Sequence, residues 1–346
     1  MQLLMTVSLN RENFSKMTDA GEAYLYDKAL IEVLDWESKE IVEQIEYHPL
    51  PKNIGPGGNI RVTGGCPWRG KWLQTSDTEL VFYDTEDWTV EKVISLPSFN
   101  DLHGVTAVGD EIALVNTGLQ MVQFFNAEGE LIRETNLASS PAWETYDSQC
   151  DYRKVATTKP HEIHPNHAFK LSGQWWATRF HQKDAVNIEN PDERIDIAVG
   201  NPHDGIVRGD YVYFTTTNAR VVVANIYTKQ VEQIVDLNEL NPGHARIGWA
   251  RGIEVDGNFA YVGFTRLRYT KWKEALRSLK DSISLPLRNS HIEKVDLLSC
   301  ELVDDFDYGN ARGAAIFTLM NYDRARGKIA QDAAVAVPSE RILAAV

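Results

Sequence analysis

Three histidines stand just ahead of short apolar segments in this 346-residue chain: Asp101-Leu102-His103-Gly104-Val105, Lys159-Pro160-His161-Glu162-Ile163 and Asn201-Pro202-His203-Asp204-Gly205-Ile206. Imidazole is the commonest side-chain ligand of divalent transition metals and the side chain whose proton moves near neutral pH. Three neutral imidazoles converging on one open coordination position suit a catalytic Zn, Mn or Fe ion, which lowers the pKa of a bound water. His103, His161 and His203 are therefore the candidate metal ligands. The competing reading is mechanical, because a His before Gly at the start of a strand can brace a turn through a carbonyl or an acid.

Arginines occupy comparable places. Arg251 and Arg312 each precede a glycine, as His103 does, and Arg61 opens another apolar segment. Three His with two or three Arg would make a cationic funnel in an acidic protein, a setting for a carboxylate, a phosphate or a sugar acid. Arg251 is assigned to neutralise developing negative charge, and Arg61, Arg179 and Arg312 to contact substrate. Pairing with neighbouring acids is the plainer role for each. Arg179 and His181 share strand parity in Thr178-Arg179-Phe180-His181, and His181 or Tyr213 is the candidate proton donor.

The run His161-Glu162-Ile163-His164-Pro165-Asn166-His167 has an i, i+3, i+6 spacing, but Pro165 excludes a helix. On an extended chain His161 and His164 face opposite ways and share no ion. His164 and His167 are accordingly expected in turn or supporting roles.

For such groups to converge, the segments behind them must be arranged around an axis. One unit runs from His103 to Leu137 and a second from His203 to Leu237, each with four short alternating or β-branched segments separated by polar turns. Gly58 to Leu96, His161 to Ile197, and Ala250 to Gly263 resuming at His291 follow the same plan. The N-terminal segments Leu3–Leu9, Glu22–Asp35 and Glu40–Tyr47 lack an innermost strand, and Asn310–Phe317 reads as an innermost strand with no blade after it. The expectation is one all-β domain over residues 1–346, a six-bladed propeller closed by a C-terminal strand that completes the first blade and removes exposed sheet edges. A helical insertion is expected near 266–290 in the last blade. Its Trp272, Ala275, Leu276 and Leu279 form an apolar stripe opposite a basic face, which suits docking on its own domain or a protein partner.

A formal charge of −14 argues against a nucleic-acid partner. No apolar run reaches the roughly 20 residues of a membrane span. Cys66, Cys150 and Cys300 form neither a disulfide framework nor a metal knuckle, and the N-terminus lacks the features of a signal peptide, so the cytoplasm is the expected address. Dinucleotide, Walker and nucleophile-elbow signatures are missing, so no nucleotide cofactor is expected.

The stretch from His161 to Gly205, with LVNTGLQMVQFF before it and ARGIEVDGNFAYVGFTRLR after it, resembles a family of bacterial predicted β-propellers that carries no established activity. The architecture and the histidine number are more loosely similar to six-bladed NHL-type propellers such as the peptidyl-hydroxyglycine amidating lyases. That resemblance implies three axial histidines holding zinc, with Arg and Tyr nearby. The function expected from all of this is a metal-dependent lyase or hydrolase acting on a small polar or anionic substrate at the channel mouth. The alternative is a non-catalytic propeller that binds a ligand or a protein.

Overall fold

The computed structural model describes residues 1–11, 26–55, 58–244, 247–266, 288–309 and 313–329. The short alternating segments pair into six four-stranded antiparallel sheets, each strand bonded to the next in sequence except in the first sheet. There Ala314–Asn321 is innermost, followed outward by Gln2–Asn10, Tyr26–Asp35 and Glu40–Tyr47. Leu9 lies opposite Ala314 and Leu4 opposite Met320, so the last strand of the ring completes the first blade. The protein is a six-bladed β-propeller closed as the sequence predicts.

The innermost strands of blades 2 to 6 are Val62–Trp68, Leu102–Val108, Pro165–Leu171, Pro202–Arg208 and Trp249–Asp256. All run the same way, and every connection between blades therefore arrives at one end of the channel, here called upper. The expected helical insertion falls almost wholly on 267–287, and Arg312 on 310–312; both lie outside the described residues.

Apolar side chains gather in the seams between blades. Tyr213, Val221 and Val223 of blade 5 pack against Ile253, Val255 and Val262 of blade 6, and Leu3, Met5 and Val7 pack against Tyr261 and Ile292 where the ring closes. Middle strands are buried on both faces, as in Met121–Phe125. Outermost strands such as Glu301–Asp307 alternate exposed with half-buried residues and carry the charges that keep a sheet edge from pairing with another chain. At about 1.5–3 kcal/mol for each large apolar side chain taken from water, the seams supply most of the driving force for folding.

Every innermost strand also carries a bulge near its upper end. Two residues there oppose one on the neighbouring strand: Thr63-Gly64, His103-Gly104, Asn166-His167, His203-Asp204, Arg251-Gly252 and Phe317-Thr318. An unpaired residue frees a backbone N–H and C=O that must find new partners. Threonines opposite four of the bulges supply them. Thr75 Oγ1 donates to Gly64 O at 2.9 Å, while Thr178, Thr215 and Thr6 accept from His167 N, Asp204 N and Thr318 N at 3.0, 3.4 and 3.0 Å. Adjacent bulges press together. A Cβ on Gly104 would stand 2.7 Å from Asn166 O, and one on Gly252 would stand 2.5 Å from Phe317 O, so only glycine fits.

Candidate functional site at the upper end of the channel

The bulges decide which sequence positions are equivalent. His103, His203 and Arg251 occupy the first bulge residue of their blades, as their sequence contexts suggest. In blade 4 that place belongs to Asn166, and His161 lies five residues upstream in the connection from blade 3. In blade 2 it is Thr63 rather than Arg61, and in blade 1 Phe317, several residues past Arg312.

The connection carrying His161 is firmly held. Thr158 Oγ1 donates to Gly118 O at 2.6 Å, Ile163 N donates to Gln120 Oε1 at 2.7 Å, and His181 N donates to Ile163 O at 3.2 Å. His164 has φ 54°, a left-handed conformation uncommon for a residue with a Cβ. That turn overrides the extended-chain parity expected to separate His161 from His164. Their rings stack instead, with centres 5.1 Å apart, and the two Nδ1 atoms approach to 2.8 Å. His164 also packs edge-on against His103 at 5.4 Å and lies 6.0 Å from the exposed ring of His181.

The imidazoles that gather are therefore a different set from the one the sequence suggests. Among the described residues, the group of three whose ligand atoms all lie within 4.8 Å of one another is Asp101, His161 and His164. His103 borders this group through His164, whereas His203 stands 5.9 Å from His103 on the far side.

Protons can be placed by their partners. Thr158 spends its hydroxyl hydrogen on Gly118 O, so it accepts from His161 Nε2 at 3.0 Å. His161 Nδ1 then accepts from His164 Nδ1, which leaves a lone pair on His164 Nε2. His103 Nδ1 donates to Asp101 O at 2.9 Å, which leaves its Nε2 as an acceptor. Burial holds all of these rings neutral. It brings His103 down to about 3 and His161 to about 4, and it pushes His164 well below the usual imidazole range, with His103 adding to the effect.

Asp101 is the counterweight. Burial works against its charge, but His103, Arg61 and Lys159 together hold the carboxyl well below the usual range. Arg61 donates to Asp101 Oδ1 at 2.5 Å and also pairs with Asp77. It thus anchors an acid of the cluster, which differs from the substrate contact assigned to it.

His203 sits in a separate chain of contacts. Its Nδ1 meets Asp204 Oδ1 at 2.9 Å, its Nε2 accepts from Arg251 at 2.8 Å, and the Arg251 guanidinium lies 4.6 Å from the centre of the Phe317 ring. Burial, then Arg251, keeps this imidazole neutral.

Two other assignments are corrected by their surroundings. Arg179 is bound in bidentate fashion by Asp184, at 2.8 and 2.6 Å, so its fork is occupied within its own blade. Tyr213 is fully buried in the seam between blades 5 and 6, where burial raises its hydroxyl well above the usual phenol range. It is a packing residue rather than a proton donor at the channel mouth.

Below this layer the channel widens into a cavity of about 980 Å³ that runs to the lower end, its lining including His103, His167, His203, Asp204 and Phe317. The bulge residues thus divide an upper polar cluster from a lower cavity.

No protein-family model matches the chain, and no curated protein matches it. Among solved structures it is similar to a protein of unknown function from Bacteroides caccae, with TM-score 0.58 and 11% identity, over 91% of this chain and 98% of that one. It is also similar to a chain of the nidogen/laminin complex, with TM-score 0.54 and 10% identity, over 92% and 97% of the two chains. At such identities the fold is what is shared.

Proposed function

We propose that the chain is a metal-dependent lyase or hydrolase that acts on a small polar or anionic substrate at the upper end of the channel, with Asp101, His161 and His164 as the metal ligands. The observation that carries this reading is that one ligand atom from each of Asp101, His161 and His164 lies within 4.8 Å of the other two. Two imidazoles and one carboxylate suit Zn, Mn or Fe and leave coordination positions open. Burial keeps both imidazoles neutral and Asp101 is ionised, and an entering ion would displace the hydrogen bond between the two Nδ1 atoms, with the His164 hydrogen moving to Nε2. Supporting contacts are those expected around ligands: Thr158 fixes the far nitrogen of His161, and Arg61 orients Asp101.

A divalent ion held there supplies an ionisable water and polarises a substrate carbonyl or phosphoryl group. The chain's own residues supply the rest. Lys159 adds positive potential at Asp101, His161 and His164, which favours an anionic substrate. Exposed His181, beside His164, is the group placed to exchange protons with solvent. The looser likeness to NHL-type zinc propellers points the same way, and three free cysteines accord with a reducing, cytoplasmic setting.

A second reading has its own observation. His203 links Asp204 to Arg251 across two blades, as a brace in a non-catalytic propeller would. Elemental analysis of protein purified without a histidine tag separates the two. The enzyme reading expects near-stoichiometric Zn, Mn or Fe, lost on His164→Ala with the fold retained. Metal-free protein that takes up none of these ions on titration would leave the bracing reading standing.

A further inference from the structure

At its inner end the lower cavity presents acceptor atoms from three side chains, His103, His167 and Asp204. His103 has committed its Nδ1 hydrogen to Asp101 O, so Nε2 carries a lone pair. His167, also neutral, bonds the backbone of Gly205 through one ring nitrogen, which leaves the other as an acceptor. Asp204 receives His203 on Oδ1 and keeps Oδ2. All three residues line the cavity. Its walls include the apolar and aromatic side chains Trp68, Phe169, Ile206, Ile253 and Phe317.

An acceptor-rich end beneath apolar walls calls for a ligand that brings several N–H donors, and positive charge, on an apolar body. We propose that the lower cavity binds a small organic cation, an amine carried on an apolar or aromatic body, with the ammonium group among Asp204, His103 and His167. Burial pushes the Asp204 carboxyl up to about 7, against the opposing pull of His167 and Arg251, and an ammonium beside it restores its charge. Cations at the lower mouth do not bar the way. Arg69 is paired with Asp110, and Lys170 with Glu111 at 3.3 Å. Phe169, whose ring centre lies 6.3 Å from that of His167, adds cation–π attraction near the head group. His103 touches both this cavity and the upper cluster, but Asp204 and His167 lie outside the cluster, and the inference does not depend on a metal there.

Calorimetric titration of the full chain with 2-phenylethylamine, 2-phenylethanol and 3-phenylpropionate tests it. The amine is expected to bind at least about tenfold more tightly than the alcohol, and the carboxylate most weakly. Asp204→Asn should weaken the amine by about tenfold or more without changing the alcohol, and His164→Ala should leave amine binding intact. Carboxylate binding that equals or exceeds that of the amine overturns the proposal, as does the absence of binding by all three. Loss of amine binding in His164→Ala would place the ligand at the upper cluster and overturn it too. If Asp204→Asn fails to fold, the wild-type ligand series decides alone.

Discussion

The two ends of the channel solve the problem of buried charge in opposite ways. At the lower end, Glu254 is fully buried between Arg208 and Arg324, accepting from them at 2.9 and 3.0 Å. This triad ties blades 5 and 6 to the short helix Tyr322–Ala325 that follows the closing strand. At the upper end, Arg61 bridges Asp77 and Asp101, whose side chains keep 20% and 21% exposure. The lower network acts as a clasp. The upper one leaves its acids partly wet and places one of them against two neutral imidazoles. Charge locked away from water serves closure, and charge left at the edge of water is available for ligands.

The sharpest way to break this contrast is to remove the central acid of the clasp. Glu254→Leu strands two buried guanidinium groups and should cost about 3–5 kcal/mol, read as a fall in the denaturant midpoint. Arg61→Leu should cost visibly less, because water can reach Asp77 and Asp101. Equal losses would erase the distinction between clasp and site.

Next in size is the bulge layer that separates the two ends. Gly252→Ala places a methyl group against Phe317 O, and about 1–3 kcal/mol of stability should disappear. A thermal melt unchanged by this substitution would show that the bulges are not pressed together.

A pH series on metal-free protein sharpens the upper half of the comparison. His103 and His203 are held neutral in the folded state, with His103 at about 3, while the unfolded chain protonates them near about 6.5. Between those values the unfolded state binds more protons at these rings, so their contribution to stability is fully present above about 6.5 and is lost on acidification. Each ring contributes about 1.4 kcal/mol per pH unit across that window, and His203→Gln should flatten the slope. Asp204, raised to about 7, works in the opposite sense over this range, so the test is the difference between the two profiles: equal slopes in wild type and His203→Gln from pH 7 to 5 would contradict burial of a neutral His203.

The smallest effect concerns Arg179. Arg179→Lys replaces a bidentate contact with Asp184 by a single one and should lower stability by about 1 kcal/mol while leaving metal affinity unchanged. A change in metal affinity would restore Arg179 to the site.

The blades were legible because each repeats the same plan, so His103 to Leu137 and His203 to Leu237 delimit blades 3 and 5 almost to the residue. Closure followed from a first blade lacking an inner strand and a last inner strand lacking a blade. The cluster was only half legible. A residue before glycine marks the bulge in blades 2, 3 and 6, but blades 1 and 4 build it from Phe317-Thr318 and Asn166-His167, where no glycine signals it. His164 was misplaced because alternation assumes an extended backbone, and its φ of 54° reverses the facing. Asp101 stood in the quoted segment but resembled an ordinary turn acid. Its role depends on Arg61, 40 residues away in sequence, and pairings of that kind leave no local pattern.

The central claim is that the metal ligands are Asp101, His161 and His164 rather than His103, His161 and His203. Calorimetric titration of metal-free protein with Zn²⁺, comparing wild type with His164→Ala and His203→Ala, tests it most directly. One site per chain is predicted, weakened by about 100-fold or more in His164→Ala and retained in His203→Ala. Binding that survives His164→Ala but vanishes in His203→Ala would contradict the account.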